Sequence, residues 1–369
     1  MIRILHFLSD LDISSGASVV AMNYYRNINK EHVQFDFLYF EDTSTNCIDE
    51  IETLGGNVYR IQKPNFSKES IKELNNFFKE HQNTWTALHC HPVYGAVVVG
   101  RFARKYGIKN IIQHSHSTQF GNTKKSSMRN YLISKMNPFI VTDYFACSQE
   151  AARLLGWKFI WKDKVHILHN AILCERFKYD DNKRNQIRSQ YGIQENTVVI
   201  GHTGRFSVEK NHEYLLAFFY EYHKLNSNSK LILLGDGQEK ENIQKIISEN
   251  ALSEDVLMVG NQKCPENYLC AMDFFIFPSF YEGISLALLE AQCNGLVCFV
   301  SDRVDIQSKQ INQYYSFSLD TKPDKLAKIV YEQPLNADRR ISYYILKNSH
   351  FNLIQEVNKL ERFYESLEG

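Results

Sequence analysis

Short apolar runs separated by helix-length amphipathic stretches recur along almost the whole chain, and this alternation leaves little choice of fold. The runs fall at 2–7, 33–40, 58–61, 87–90, 110–114, 144–148 and 165–170, and again at 197–202, 230–234, 256–259, 273–277 and 296–301. Runs that stay apolar at successive residues read as strands buried on both faces, and strands joined by helices pair in parallel. A chain of 369 residues exceeds what one core usually serves. The pattern therefore predicts an α/β protein of two Rossmann-like domains facing each other across a cleft. Residues 1–170 form the first and 195–346 the second, with a charged connecting helix in the linker 171–194. Residues 347–369 have the length and amphipathic pattern of a helix that returns to the first domain. In open parallel sheets ligands bind beyond the carboxyl ends of the strands. That rule selects the loops at 14–18, 114–118, 204–210, 235–237 and 279–283.

Charge excludes one class of partner. Lys+Arg and Asp+Glu both number 42, so no nucleic acid is expected. No apolar run approaches the roughly 18–20 residues of a membrane span. Residues 1–8 read as a strand, and Asp10 and Asp12 follow too soon for an export signal. The eight cysteines lack disulfide or zinc spacing and fit reduced, buried thiols of a cytoplasmic protein. His89-Cys90-His91 resembles a metal motif, but alternation on a strand turns Cys90 away from both histidines. Between 116 and 143, Lys124, Lys125, Arg129 and Lys135 intersperse with Met128, Tyr131, Leu132, Ile133, Met136 and Phe139. This is either a solvated amphipathic helix or a peripheral contact with the anionic inner face of the cell membrane.

The chemistry concentrates in the second half. After the strand at 273–277, Pro278 and Gly283 interrupt the backbone and an apolar helix begins near Ser285. Glu282 precedes that helix and Glu290 lies inside it, about 12 Å apart at 1.5 Å per residue if the segment is mostly helical. That spans a sugar, a diphosphate and a ribose, with the free N–H groups of the helix start between them. Gly204 frees the turn after another strand, where Arg205 and Lys210 place two cations able to hold a diphosphate leaving group. Gly235-Asp236-Gly237 reads as a tight strand-to-helix turn or a phosphate loop. His116 lies past a strand end, and by position alone His114 is as good a candidate.

Gly204-Arg205-Phe206, Lys210-Asn211-His212, Leu234-Gly235-Asp236-Gly237, Pro278-Ser279, Tyr281-Glu282-Gly283, Glu290-Ala291-Gln292 and Gly295 together resemble glycosyltransferase family 4, of the GT-B fold. The likeness is to the branch that builds bacterial capsular and exopolysaccharides. Gln34-Phe35-Asp36-Phe37, His114-Ser115-His116-Ser117 and His169-Asn170 extend it into the first half. The resemblance implies a retaining transferase that needs no metal or other cofactor. It moves a sugar from a nucleotide-sugar, a UDP-sugar by expectation, to a lipid-linked saccharide acceptor. It gives Arg205 and Lys210 to the diphosphate, Glu282 to the donor sugar and Glu290 to the ribose. Backbone N–H groups of Gly283, Ile284 and Ser285 would face sugar and phosphate, and Gly16 would approach the diphosphate. It selects His116 over His114. Ser15-Gly16 and Ser18 depart from the family's paired glycines and acidic residue, and Asn170-Ala171 and Leu173 from its domain junction. Two rivals remain, a nucleotide-sugar epimerase on the same fold and a non-catalytic nucleotide-sugar-binding subunit. UDP release with and without a lipid acceptor separates them.

Overall fold

The run Ile2–Phe7 (β1) lies at the middle of a parallel sheet. The computed structural model describes residues 1–13, 15–116, 124–155, 165–335 and 338–368. Ser14, Ser117 and Thr118 of the expected site loops lie outside the described residues. In the first sheet β1 is joined by Val33–Tyr39 (β2), Val58–Arg60 (β3), Ala87–Cys90 (β4), Asn110–Ser115 (β5), Asp143–Ala146 (β6) and Val165–Ile167 (β7). Their order is β3-β2-β1-β4-β5-β6-β7, with every pairing parallel. The order reverses between β1 and β4, where the chain changes sides of the sheet.

The second sheet is built the same way. Val198–Thr203 (β8), Ser229–Leu234 (β9), Val256–Gly260 (β10), Phe274–Phe277 (β11), Val297–Ser301 (β12) and Tyr314–Phe317 (β13) run in the order β10-β9-β8-β11-β12-β13. β8 and β11 flank its reversal point. Large apolar side chains fill both faces: Phe275 and Phe277 enter one cluster, Phe274 and Ile276 the other.

Two compact units result, residues 1–171 with 353–369, and residues 172–352. Two expected boundaries shift. The stretch read as a linker belongs to the second unit. Cys174, Phe177, Ile187 and Ile193 are buried in its core. The helix Asp181–Gln190 is also bolted down by charge. Arg184 donates to Asp273 at 2.8 Å and Arg188 at 2.7 Å, and Asp273 also accepts the Val199 amide at 2.8 Å. The returning helix is Leu353–Glu365, not a continuous helix from 347. Lys347 ends a separate helix, Arg340–Lys347, and pairs with Glu175 at 2.7 Å, while Phe351 is buried in the second core. Glu356 of the returning helix is fully buried and accepts the His169 amide at 2.8 Å, tying that helix to the first unit.

The Asp273 cluster gives a stability prediction. Asp273→Asn keeps the volume and removes the charge facing two guanidinium groups. Hydrogen bonds to charged groups are worth about 1.5–3 kcal/mol, and a loss of that size is expected. Thermal unfolding measures it, and an unchanged midpoint would show that the helix is held by its apolar face alone. Seven of the eight cysteines are buried as expected, whereas Cys264 is exposed, and all eight are free thiols.

Candidate functional site

The site residues of the second unit collect at the carboxyl ends of β8, β9 and β11. β8 ends at Thr203, and Gly204 opens the turn. A Cβ at Gly204 would stand 3.1 Å from His202 Nε2 and 3.4 Å from Lys210 Cε, so glycine here lets the lysine lie against the strand end. Gly235 and Gly237 have a structural task. A Cβ on them would meet the Gly204 carbonyl oxygen at 1.9 Å and the Phe206 carbonyl oxygen at 2.4 Å. The close approach allows Gly204 N–H to donate to Leu234 O at 3.0 Å and Phe206 N–H to Asp236 O at 2.9 Å. The glycine loop therefore fixes the path of the segment carrying Arg205, which is exposed.

Lys210 closes a short 3-10 turn, Val208–Lys210. Asn211 follows in the left-handed region at φ 56° and starts the helix His212–Leu225. Its amide donates to Pro278 O at 3.2 Å, and Phe280 N–H donates to Glu209 O at 2.9 Å. These bonds bring the Lys210 turn onto the loop after β11. Lys210 Nζ pairs with Glu282 Oε2 and lies 4.9 Å from the centre of the Phe277 ring. Two residues that the sequence assigned to phosphate and sugar are thus salt-bridged to each other.

The loop itself is clamped from β12. Ser301 Oγ donates to Ser279 O at 2.6 Å, Asp305 N–H to Glu282 O at 3.1 Å and Ser308 Oγ to Gly283 O at 3.3 Å. Residues 282–285 are therefore not helical, and the helix runs from Leu286 to Cys293. The expected 12 Å separation of the two glutamates assumed helix throughout. A non-helical residue advances up to about 3.4 Å, so the span can be longer. Ser285 occupies the N-cap but its side chain makes no capping bond, so the first N–H groups are not capped by it. Ile284 is buried beside it. A Cβ on Gly283 would meet nothing within 4 Å, so packing does not demand glycine there.

Glu290 is partly buried in that helix. Burial pushes its carboxyl up to about 7; Arg176 pulls it down and Glu266 raises it further. Near neutrality it takes up or gives up a proton easily.

The sequence reading missed a set of buried polar atoms at the same strand ends. His202 Nε2, Thr203 Oγ1, Ser279 Oγ and both ring nitrogens of His212 find no partner among the described residues. His202 Nδ1 donates to Ile276 O at 2.8 Å, which leaves Nε2 as a bare acceptor. The signal was present as polar residues ending an otherwise apolar buried strand.

Gly16 and His116 belong to the first unit. Gly16 opens the helix Gly16–Asn27, and a Cβ there would also meet nothing within 4 Å. His116 follows β5 and is less buried than His114, whose exposure is 1%. His89 of β4 and His91, just past its end, lie together, with Cys90 in the apolar cluster. The neighbouring strand adds His114, so that ligand-capable atoms of His89, His91 and His114 lie within 4.8 Å of one another. The sequence reading considered Cys90 alone as their partner. Three neutral imidazoles are a ligand set able to hold a divalent metal; five of their six ring nitrogens instead meet one another, His6, His116 or Tyr364 within hydrogen-bond distance.

Residues 183–339 match the family described as glycosyl transferases group 1. The putative glycosyltransferase EpsF of Bacillus subtilis is 30% identical over 309 residues, 82% of this chain and 79% of that protein. The UDP-Gal:alpha-D-GlcNAc-diphosphoundecaprenol alpha-1,3-galactosyltransferase of Escherichia coli is 23% identical over 98% of this chain and 96% of its own. Among solved structures, Anabaena Alr3699/HepE in complex with UDP superposes with a TM-score of 0.80 at 14% identity, covering 99% of this chain and 100% of that one. Two parallel-sheet units of seven and six strands, this structural likeness and the matched sequence agree: the chain has the GT-B fold and belongs to the group 1 glycosyl transferases.

Proposed function

We propose that the protein is a retaining glycosyltransferase that moves a sugar from a UDP-sugar to a saccharide carried on a lipid diphosphate. The observation that carries this reading is the Lys210–Glu282 pair beside the Leu286–Cys293 helix start. An arriving diphosphate competes for Lys210 and meets open helix N–H groups, and the released Glu282 carboxylate becomes free to accept sugar hydroxyls. Arg205 adds a second cation. Lysine, arginine and helix N–H groups supply the positive charge that a metal provides elsewhere, so no metal is invoked. The donor and acceptor named for the Escherichia coli relative support UDP and a lipid-linked acceptor. The test is UDP release in excess chelator, with and without a lipid-diphosphate-linked saccharide. Release that requires the acceptor is expected; release without acceptor indicates hydrolysis of the donor, and none with any acceptor favours a binding subunit or an epimerase, whose product keeps the UDP.

Glu282→Gln checks the sugar end. UDP should bind at least as tightly, since Lys210 loses its competing carboxylate, while turnover falls by about 1.5 kcal/mol or roughly tenfold. Calorimetry with UDP and with intact donor reads both; a loss of UDP affinity would place Glu282 at the wrong end of the donor.

The acceptor's lipid gives the helix Lys124–Ser134 a role. Met128 and Leu132 on the helix and Met136 and Phe139 just after it are exposed, beside Lys125, Arg129 and Lys135. Among the described residues no helix is long and apolar enough to cross a membrane. Each cation near an anionic surface contributes about 1 kcal/mol. Sedimentation with anionic vesicles is expected at low salt and reversed at high salt. Equal binding to neutral vesicles would remove the electrostatic part.

A further inference from the structure

Five histidines collect inside the first unit, and their positions follow from alternation along parallel strands. Side chains two residues apart on a strand share a face, so His89 and His91 stand together, with rings 4.9 Å apart and within 8° of parallel. Cys90 pairs with Gln113 across β4 and β5, and the same register brings His114 beside His91, ring centres 5.4 Å apart. His6 pairs with His89 from the other side, on β1. His89, His91 and His114 are all buried, and each offers a nitrogen within 4.8 Å of the other two.

Hydrogen bonds account for part of this chain of imidazoles. His116 Nε2 lies 2.7 Å from His91 Nδ1, His91 Nε2 lies 3.0 Å from His6 Nδ1, and His89 Nε2 lies 3.1 Å from His114 Nδ1. The Tyr364 hydroxyl of the returning helix lies 2.7 Å from His89 Nδ1. His114 Nε2, however, is buried and has no partner among the described residues. A polar atom left unpaired in the interior costs stability, so the rings do not fully satisfy one another.

We propose that His89, His91 and His114 bind one divalent transition-metal ion of the zinc class, in a structural centre that pins β4 to β5. Two nitrogens bonded to one zinc at about 2.0–2.1 Å stand roughly 2.9–3.4 Å apart. His89 Nε2 and His114 Nδ1 already have that spacing. No pair of ligand atoms exceeds 4.8 Å, so the set closes on an ion when its rings draw in by less than about 2 Å. The outer contacts suit such ligands, because a metal-bound histidine is oriented by a partner on its second nitrogen. His89 turns Nδ1 to Tyr364 and keeps Nε2 for the ion. His91 has His116 at Nδ1 and His6 at Nε2, so either nitrogen can bind while the other stays held.

Burial lowers the pKa of all three rings well below the usual value, so protons do not compete for their lone pairs at neutral pH. An all-nitrogen set suits zinc and its neighbours, whereas Mg²⁺ and Ca²⁺ take oxygen ligands. The fourth place is left for water. Zinc lowers the pKa of such a water to about 7, and the resulting hydroxide offsets part of the ion's charge. An ion in so enclosed a place enters as the chain folds, and its binding energy adds to stability. The centre lies wholly in the first unit, and the metal-free chemistry proposed at the diphosphate concerns the second. Neither reading depends on the other.

The experiment uses the full chain without a histidine tag, produced in zinc-supplemented medium. Plasma mass spectrometry should find one bound zinc per chain, and X-ray absorption should find nitrogen ligands at about 2.0–2.1 Å. Stripping the zinc with a strong chelator should lower the melting temperature, and zinc should restore it. His114→Gln removes a ligand and should lose the ion, while His32→Ala, on the surface, should keep it. Tyr364→Phe should weaken zinc binding about 10- to 100-fold, read by competition with a chromophoric chelator. A chain that holds no zinc, or whose melting temperature ignores it, overturns the site. So does zinc retained by His114→Gln, or bound through sulfur at about 2.3 Å, which would point to the exposed Cys264. An unchanged affinity in Tyr364→Phe overturns its orienting role. Should His114→Gln fail to fold, anomalous scattering at the zinc edge from wild-type crystals decides, since an ion away from the three rings overturns the assignment. None of these readouts needs sugar transfer.

Discussion

Lys210→Ala is expected to fold normally and to lose about 10²–10³ in turnover, because one fixed electrostatic donor at a leaving group is worth about 3–4 kcal/mol of barrier. The lysine is well placed for this. Its turn is tied to the loop after β11 through Asn211 and Glu209, so the ammonium needs little reorganisation to face a diphosphate. The ion pair with Glu282 does not contradict the role. On the proposed reading Glu282 holds the cation in position until the diphosphate competes for it, and its own release then exposes a carboxylate to the sugar. The side chains keep 13% and 25% exposure, so losing the pair should cost folding little beside the loss in rate. Steady-state turnover and thermal unfolding of the same preparation test both halves. Near-normal turnover would move the diphosphate elsewhere, and a collapsed melting point would make the lysine structural.

Glu290→Gln should show two effects of opposite sign. Burial raises the folded-state pKa to about 7, above an unfolded value near 4.5. The folded state therefore holds a proton that the unfolded chain releases. Stability from this group is full below pH 4.5, falls between 4.5 and 7, and stays low above. A shift of that size corresponds to about 3 kcal/mol. Gln carries no charge, so the variant should gain on the wild type as pH rises from 4.5 to 7 and hold the gain above. Nucleotide binding should move the other way. An ionised Glu290 accepts ribose hydroxyls, and its loss should weaken UDP by about 1.5–3 kcal/mol, roughly 10- to 100-fold. Wild-type UDP binding just below pH 7 should release a proton, seen as buffer-dependent heat in calorimetry, and the variant should release none from this group. Unchanged UDP affinity in Glu290→Gln would take the ribose away from this helix.

The sequence and the fold agree where single strands are concerned. β11 is apolar at every position, and β12 at all but its last, because both sheet faces are covered, and that needs no knowledge of neighbours. β13 escaped notice for the matching reason. It is an edge strand whose Tyr315 and Ser316 are exposed, so its run is broken by polarity. The linker was misplaced because its charges look solvated in sequence. Arg184 and Arg188 are instead held by Asp273, more than eighty residues further along. The same limit hid the imidazole chain. His6 and Tyr364 carry no local signal, and three strands and a helix must assemble before the rings of His6, His89, His91, His114 and His116 and the Tyr364 hydroxyl meet.

What the sequence determined by itself is the pair of parallel sheets, the loops at their carboxyl ends and the residue types in those loops. Hydrophobic periodicity and glycine position are local properties, and they fix strands, turns and strand-end loops without reference to distant parts. The tertiary structure alone decided which side chains touch: that Lys210 pairs with Glu282, that Gly235 and Gly237 serve the Arg205 segment by close backbone approach, and that five histidines and Tyr364 come within hydrogen-bond reach of one another. Contacts between residues tens or hundreds of positions apart depend on strand order and crossover path, and no window of sequence contains either.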